Sequence, residues 1–298
     1  MVSTWLNSLV SGTVVVPAAY FAGGSSSTTV VDKFAFSDDS RTTLGTGLSA
    51  ATYGLAGAAN SGTAAYFAGG YASGNSATID KFVFSNDGRT TLGTGLSAAR
   101  YNLGGAANSG TAAYFAGGYP GSTVVDKIAF SDDSRTTLGT GLAVATWYIA
   151  GAANSGTAAY FAGGYVAGVV DTVYKFAFSD DGRTTLGTGL SSARYGTAGA
   201  ANSGTAAYFA GGSGPVTTID KFAFSDDGRT TLGTGLSVAR DQLAGAANSG
   251  TAAYFAGGSP SSAVVDKIAF SDDGRTTLGT GLSVARYNLA GAANSGTL

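Results

Sequence analysis

Five aspartate–lysine neighbours recur along the chain, Asp32-Lys33, Asp80-Lys81, Asp126-Lys127, Asp220-Lys221 and Asp266-Lys267, with Tyr174-Lys175 at the sixth equivalent place. A carboxylate beside an amine could work as an acid–base couple. Adjacent residues of a strand point to opposite faces, however, so each is expected to serve its own hydrogen bond and not a catalytic dyad. A second acidic phrase, Asp-Asp-Gly-Arg, resembles a fragment of a calcium loop but lacks the spaced acidic pattern and the terminal glutamate, so a turn is expected there. The chain has no His and no Cys, and all 18 acidic residues are Asp. The commonest metal ligand, the side chain that most readily moves protons near neutral pH, and all thiolate chemistry are therefore missing. No enzyme activity, cofactor or metal is expected.

The residues better suited to recognition lie at junctions between repeats: Thr52-Tyr53, Arg100-Tyr101, Thr146-Trp147-Tyr148, Arg194-Tyr195, Arg240-Asp241 and Arg286-Tyr287. Tyr71, Tyr119 and Tyr165 follow a Gly-Gly doublet. Aromatic rings stack on the flat faces of sugars and other planar groups, and arginine offers a forked donor. Tyr53, Tyr71, Arg100, Tyr101, Tyr119, Trp147, Tyr148, Tyr165, Arg194, Tyr195, Arg240, Asp241, Arg286 and Tyr287 are thus the candidate ligand-binding residues. The arginines suit packing between repeats equally well. Trp147 and Asp241 interrupt the regular pattern, so a pocket built from these residues is expected to be lopsided.

The elements that must position them come from one phrase, AANSGTAAYFAGG, spelled almost identically along the 298-residue chain. The second glycine of its doublet falls at Gly24, Gly70, Gly118, Gly164, Gly212 and Gly258, which gives gaps of 46, 48, 46, 48 and 46 residues. A period in this range is that of a four-stranded propeller blade. In one copy, strand A is expected at Leu103 to Ala107, strand B at Ala112 to Ala116, strand C at Val124 to Phe130 and strand D at about Thr136 to Leu142. Asn108-Ser109-Gly110 makes the A–B turn and residues 131–135 the C–D turn, where Ser40 and Ser134 replace the glycine of the other four copies. The innermost strand is thin, as blades converging on an axis require. Tyr114 and Phe115 on strand B point to opposite faces, Ile128 and Phe130 on strand C share one face, and Val125 takes the other. Both faces call for burial, as in a blade sandwiched between neighbours. At roughly 1.5–3 kcal/mol per buried large apolar side chain, one copy cannot offset its own ordering entropy.

With the Gly-Gly ending of strand B, the aromatic-rich strand C and the run into Leu-Ser-x-Ala-Arg, the repeats over roughly residues 18–298 resemble kelch repeats. The family's usual strand D tryptophan is absent, with Leu138 and its equivalents near that place. The resemblance implies four-stranded blades. Some kelch relatives are copper oxidases, but their histidine ligands cannot exist here. More narrowly, Tyr-Phe-Ala-Gly-Gly followed by Val-Asp-Lys-Phe-Ala-Phe-Ser-Asp-Asp and Leu-Ser-x-Ala-Arg is similar to repeats in structural and tail-fibre-like proteins of cyanobacterial phages, which implies association with a virion or an extracellular setting.

The fold expected is therefore all-β, a six-bladed propeller spanning residues 18–298 as one domain, with residues 1–17 an N-terminal arm. The last copy stops at the turn that elsewhere leads into strand B, while the first strand B begins at Ala18. Strand A at Leu289 to Ala293 is expected to complete the N-terminal blade, with Thr4 to Thr13 the competing source of that strand. Every Lys lies 37 residues before the next doublet glycine, as from Lys33 to Gly70, so length differences fall in the B–C loops. Those loops share one face with the D–A junctions, and that face is diversified while the opposite one is nearly constant. A non-enzymatic recognition module is expected, with a glycan or surface receptor as partner; a structural or engineered repeat scaffold is the alternative. Six lysines spread one per repeat and a net charge of −2 disfavour nucleic acid. No apolar run approaches the roughly 20 residues of a membrane-spanning helix, and a monomeric propeller without membrane insertion is expected.

Overall fold

The computed structural model describes residues 16–25 and 28–295, and the statements below concern those residues. Fifteen of the seventeen residues expected to form the N-terminal arm, and Thr4 to Thr13 with them, lie outside the described residues. Twenty-four strands, β1 to β24 in chain order, form six four-stranded antiparallel sheets. The protein is a closed six-bladed β-propeller. Blade 1 has the order β24 (Ala290–Asn294), β1 (Ala18–Ala22), β2 (Val31–Ala35), β3 (Arg41–Thr43), so a C-terminal strand completes the N-terminal blade. The pairing runs from Ala18 opposite Asn294 to Ala22 opposite Ala290. Blades 2 to 6 are consecutive meanders beginning with strand A at Ala56–Asn60, Gly104–Asn108, Ala150–Asn154, Ala198–Asn202 and Ala244–Asn248.

Strand B occupies Ala112–Ala116 in blade 3, and strand C Val125–Ala129. Tyr114 and Val125 enter the apolar cluster shared with blade 4, whereas Phe115, Ile128 and Phe130 enter the one shared with blade 2. The two-faced burial follows from alternation along a pleated strand. Strand D is shorter than the sequence suggests, only Arg135–Thr137. Gly139 and Gly141 turn the chain inward, and Leu142 donates its N–H to the Thr123 carbonyl, which plants its side chain in the core. A Cβ on Gly141 would collide with that carbonyl, so glycine is required at this approach.

Two sets of polar contacts lock neighbouring blades. In each C–D turn the left-handed residue is the second Asp, from Asp39 to Asp273, and not the glycine or serine after it. Ser40 and Ser134 therefore fit without strain, because Asp tolerates this conformation. The turned-out Asp is clamped by the preceding blade. Tyr20 and Lys33 hold Asp87, and the set closes with Tyr254 and Lys267 on Asp39. All six Tyr–Asp hydrogen bonds are 2.7–2.8 Å. Each Lys Nζ also lies 5.3–5.4 Å from the ring centroid of its Tyr, a cation–π distance. This explains one lysine per repeat.

The other Asp, on strand C, is buried. Asp32 accepts from Thr43, from the Ser283 amide and hydroxyl, and from Arg286. Burial alone would raise its carboxyl pKa, but the hydrogen bonds from Thr43 and Ser283 and the charge of Arg286 hold it below the usual range; Asp126 and Asp220 behave alike. A depressed folded-state pKa contributes stability that is present above the unfolded value, about 4, and lost as pH falls through the folded value. The unfolding midpoint is therefore expected to hold between neutral pH and about pH 5 and to drop below about pH 4. Thermal melts across that range check this; a midpoint that climbs on acidification would contradict it.

Candidate functional site

The D–A junction and B–C loop of each blade meet on one face of the disc. Isolated antiparallel bridges join them: Tyr53 with Tyr71, Tyr101 with Tyr119, Trp147 with Tyr165 and Asp241 with Ser259. Backbone pairing thus fixes where the diversified side chains stand. Their rings form a continuous arc. Centroids are 5.4 Å apart for Tyr53–Tyr71, 5.4 Å for Tyr71–Tyr101, 5.2 Å for Tyr101–Tyr119, 5.8 Å for Tyr119–Trp147, 5.1 Å for Trp147–Tyr165 and 6.0 Å for Tyr165–Tyr195. Tyr148 joins at 5.1 Å from Tyr195. Most are half-buried, and Tyr119 is exposed. The edge-on and tilted contacts leave each ring supported by the next.

On the remaining arc, Ser25, Ser213, Ser259 and Asp241 stand in place of aromatics. An open cavity of about 480 Å³ lies here, lined by Ser25, Tyr53, Tyr148, Gln242, Ser259, Tyr287 and Asn288. The face is aromatic on one side and polar on the other. Asp241 is buried, and its Oδ1 has no hydrogen-bond partner among the described residues. Burial raises its pKa, in contrast to Asp32, Asp126 and Asp220. Burial likewise raises the pKa of Tyr53, Tyr101 and Tyr148, with neighbouring tyrosines adding to it, so these hydroxyls remain donors at neutral pH.

The floor of this face is a closed belt of backbone hydrogen bonds, one step per blade. Asn102 donates its N–H to the Gly54 carbonyl, Tyr148 to Asn102, Gly196 to Tyr148, Gln242 to Gly196, Asn288 to Gln242 and Gly54 to Asn288, all at 2.6–3.0 Å. All six residues have φ between 53° and 67°. Gly54 and Gly196 adopt this freely and Asn102 and Asn288 tolerate it, whereas Tyr148 and Gln242 hold it at a cost; all four side chains line the mouth of the axis. Sequence reading missed this belt, whose members are marked by position alone, each two residues after the junction Thr or Arg. Trp147, not Tyr148, is the equivalent of Tyr53 and Tyr101, and Tyr148 is a belt residue.

The four arginines among the candidates stand elsewhere. Arg100, Arg194, Arg240 and Arg286 are at most 1% exposed, and their guanidiniums pair with Asp126, Asp220, Asp266 and Asp32 at 2.8–2.9 Å. Their backbones belong to the junctions, while their heads turn inward onto strand C. The reason is electrostatic: a buried carboxylate on strand C demands a partner. They anchor the junctions beneath the face and do not present donors on it.

Among the described residues no group of three or more His, Cys, Asp or Glu is placed to hold a metal ion, and no helix is long and apolar enough to cross a membrane. No protein-family model matches the chain, and no curated protein matches it. What can be assigned is the class of architecture, a six-bladed β-propeller with internal six-fold repetition.

Proposed function

We propose that this chain is a non-enzymatic recognition module that takes a carbohydrate on the face formed by its B–C loops and D–A junctions. The observation that carries this reading is the unbroken arc of rings from Tyr53 to Tyr195, which meets a polar cavity at Tyr53 and, through Tyr148, at its other end. Sugars have apolar ring faces and polar rims, and a stacking arc beside serine, asparagine and glutamine side chains offers both kinds of contact. The likeness of the repeats to kelch and to phage tail-fibre-like repeats fits a role in surface recognition on a virion. Fold alone does not fix function, so the reading rests on the face.

The near-identity of the six inter-blade clamps supports a second reading, a repeat scaffold with no dedicated ligand. A glycan array separates the two. The parent protein is expected to score on a subset of glycans, and Trp147→Ala combined with Tyr119→Ala is expected to lower binding at least tenfold while the protein still unfolds cooperatively well above the assay temperature. No binding by the parent, or full binding by the double variant, would defeat the carbohydrate reading.

A further inference from the structure

The buried triad beneath the junctions is not the same in every blade. In blades 1, 3, 5 and 6 an arginine, a serine and a strand C aspartate come together, as Arg286, Ser283 and Asp32 do in blade 1. In blade 4 all three are replaced: Ala143 stands for the serine, Thr146 for the arginine and Tyr174 for the aspartate. Tyr174 is buried in an apolar cluster, so that site has exchanged one consistent solution for another. Blade 2 is different. Its serine and aspartate remain and its arginine alone is lost, with Thr52 in that place.

Asp80 is 4% exposed and keeps the serine contacts of its siblings, accepting from the Ser49 amide and hydroxyl at 2.8 Å. Its other oxygen accepts from Thr91 at 2.6 Å, with the outer Arg89 farther off at 3.4 Å. Thr52 does not reach it, since its hydroxyl donates to the Ala50 carbonyl. Between them lies a cavity of about 40 Å³. A water-sized sphere needs about 10–15 Å³, so three or four heavy atoms fit. Its walls include Phe67 and Gly69. In sibling blades the equivalent carbonyls accept from arginine: Phe21 from Arg286 at 3.1 Å, Phe255 from Arg240 at 3.0 Å and Gly211 from Arg194 at 2.8 Å. The rim carries exposed Ser49 and Ala50 and half-buried Ala72 and Ser76.

We infer that the cavity beside Asp80 is a binding site for a guanidinium group, supplied in trans where the other blades supply it from their own chain. The carboxylate gives charge, the walls give the carbonyl acceptors that four arginines use elsewhere, Arg100 on Phe115 at 3.1 Å being the fourth, and the cavity matches the size of a planar head group. The guanidinium comes either from a small molecule or from an arginine side chain of a partner. The inference stands independently of the carbohydrate face.

The test uses the full chain with methylguanidinium and, separately, a Gly-Arg-Gly tripeptide, each at low millimolar concentration. Tetramethylammonium at equal ionic strength is the control. Two readouts are followed, the unfolding midpoint and the NMR shift of the Ser49 amide. Methylguanidinium is expected to move both saturably, and tetramethylammonium neither. A matching response to the tripeptide assigns the site to a partner's arginine; a response to methylguanidinium alone assigns it to a small molecule. Thr52→Arg is expected to melt a few degrees above the parent and to lose both responses, because a tethered guanidinium then fills the space. Asp80→Asn is expected to lose them as well, and Thr52→Arg decides the matter if Asp80→Asn does not fold. Absence of saturation in the parent, an undiminished response in Thr52→Arg, or a lower midpoint for Thr52→Arg would overturn the inference.

Discussion

Removing residues Tyr287–Leu298 is expected to lower the unfolding midpoint by roughly 10 °C or more, or to abolish the cooperative transition. The segment supplies β24, whose five residues pair with β1 inside blade 1. Without it Phe21, fully buried in the closed ring, loses a neighbour at Gly291, and the buried Leu289, Ala290 and Ala292 are gone. Burying Leu289 alone is worth about 1.5–3 kcal/mol, and net hydrogen bonds of a ladder add about 0.5–1.5 kcal/mol each. Each kcal/mol moves the midpoint of a domain this large by about 2–4 °C. The deletion also opens the closed backbone belt at two steps, because Asn288 donates to Gln242 and accepts from Gly54. A synthetic peptide spanning residues 286–298, added in trans, is expected to restore part of the loss. Differential scanning calorimetry reads both outcomes. A deletion variant that melts with the parent would mean that another segment completes blade 1.

Much of the fold was legible because the repeat is strict. Six doublet glycines set the blade count, and the pairing of β24 with β1 was readable because the strand A phrase at Leu289–Ala293 has no strand B after it while the strand B phrase at Ala18 has no strand A phrase just before it. Alternating burial on strands B and C was also readable, since Tyr114 and Phe115 are both too large to leave exposed on either face. Strand D was overextended because Thr-Thr-Leu reads as strand, while the second of the two glycines that follow, Gly141 in blade 3, serves a close approach to the Thr123 carbonyl that is invisible in one dimension. The junction aromatics could be singled out from their types, but the arginines beside them could not be placed by type alone. A guanidinium suits a sugar hydroxyl and a buried carboxylate equally well. The signal that separates the two is positional: Arg100, Arg194 and Arg240 each precede an Asp by 26 residues, and both partners vanish together at Thr146 and Tyr174. The belt at the axis needs left-handed residues as unlike as Gly54, Tyr148 and Gln242, so no residue type announces it.

Replacing Gly199 by alanine is expected to be as damaging as the deletion, for a reason rooted in the axis. In every blade strand A carries a glycine at its second position, and each faces the backbone of the preceding blade's equivalent. A Cβ on Gly199 would fall on the Gly151 carbonyl oxygen, one on Gly151 would meet Gly105, and the relation passes through Gly57 and Gly291 back to Gly245. All six approaches lie well inside the 3.0 Å that real Cβ contacts essentially never breach. The colliding atom is backbone, so no side chain can rotate away, and a closed ring cannot widen at one interface without shifting the others. Overpacking a core typically costs about 1–3 kcal/mol where side chains can adjust. Here the expectation is at least the upper end of that range, or about 6–12 °C in the midpoint. Gly187→Ala is the control. A Cβ there meets nothing within 4 Å, and its φ is not left-handed, so the change is expected to lie within about 0.5 kcal/mol. Should Gly199→Ala melt within a degree or two of Gly187→Ala, the innermost strands would not approach as closely as glycine alone permits. The closure imposed by β24 would then need wider blades than this sequence builds.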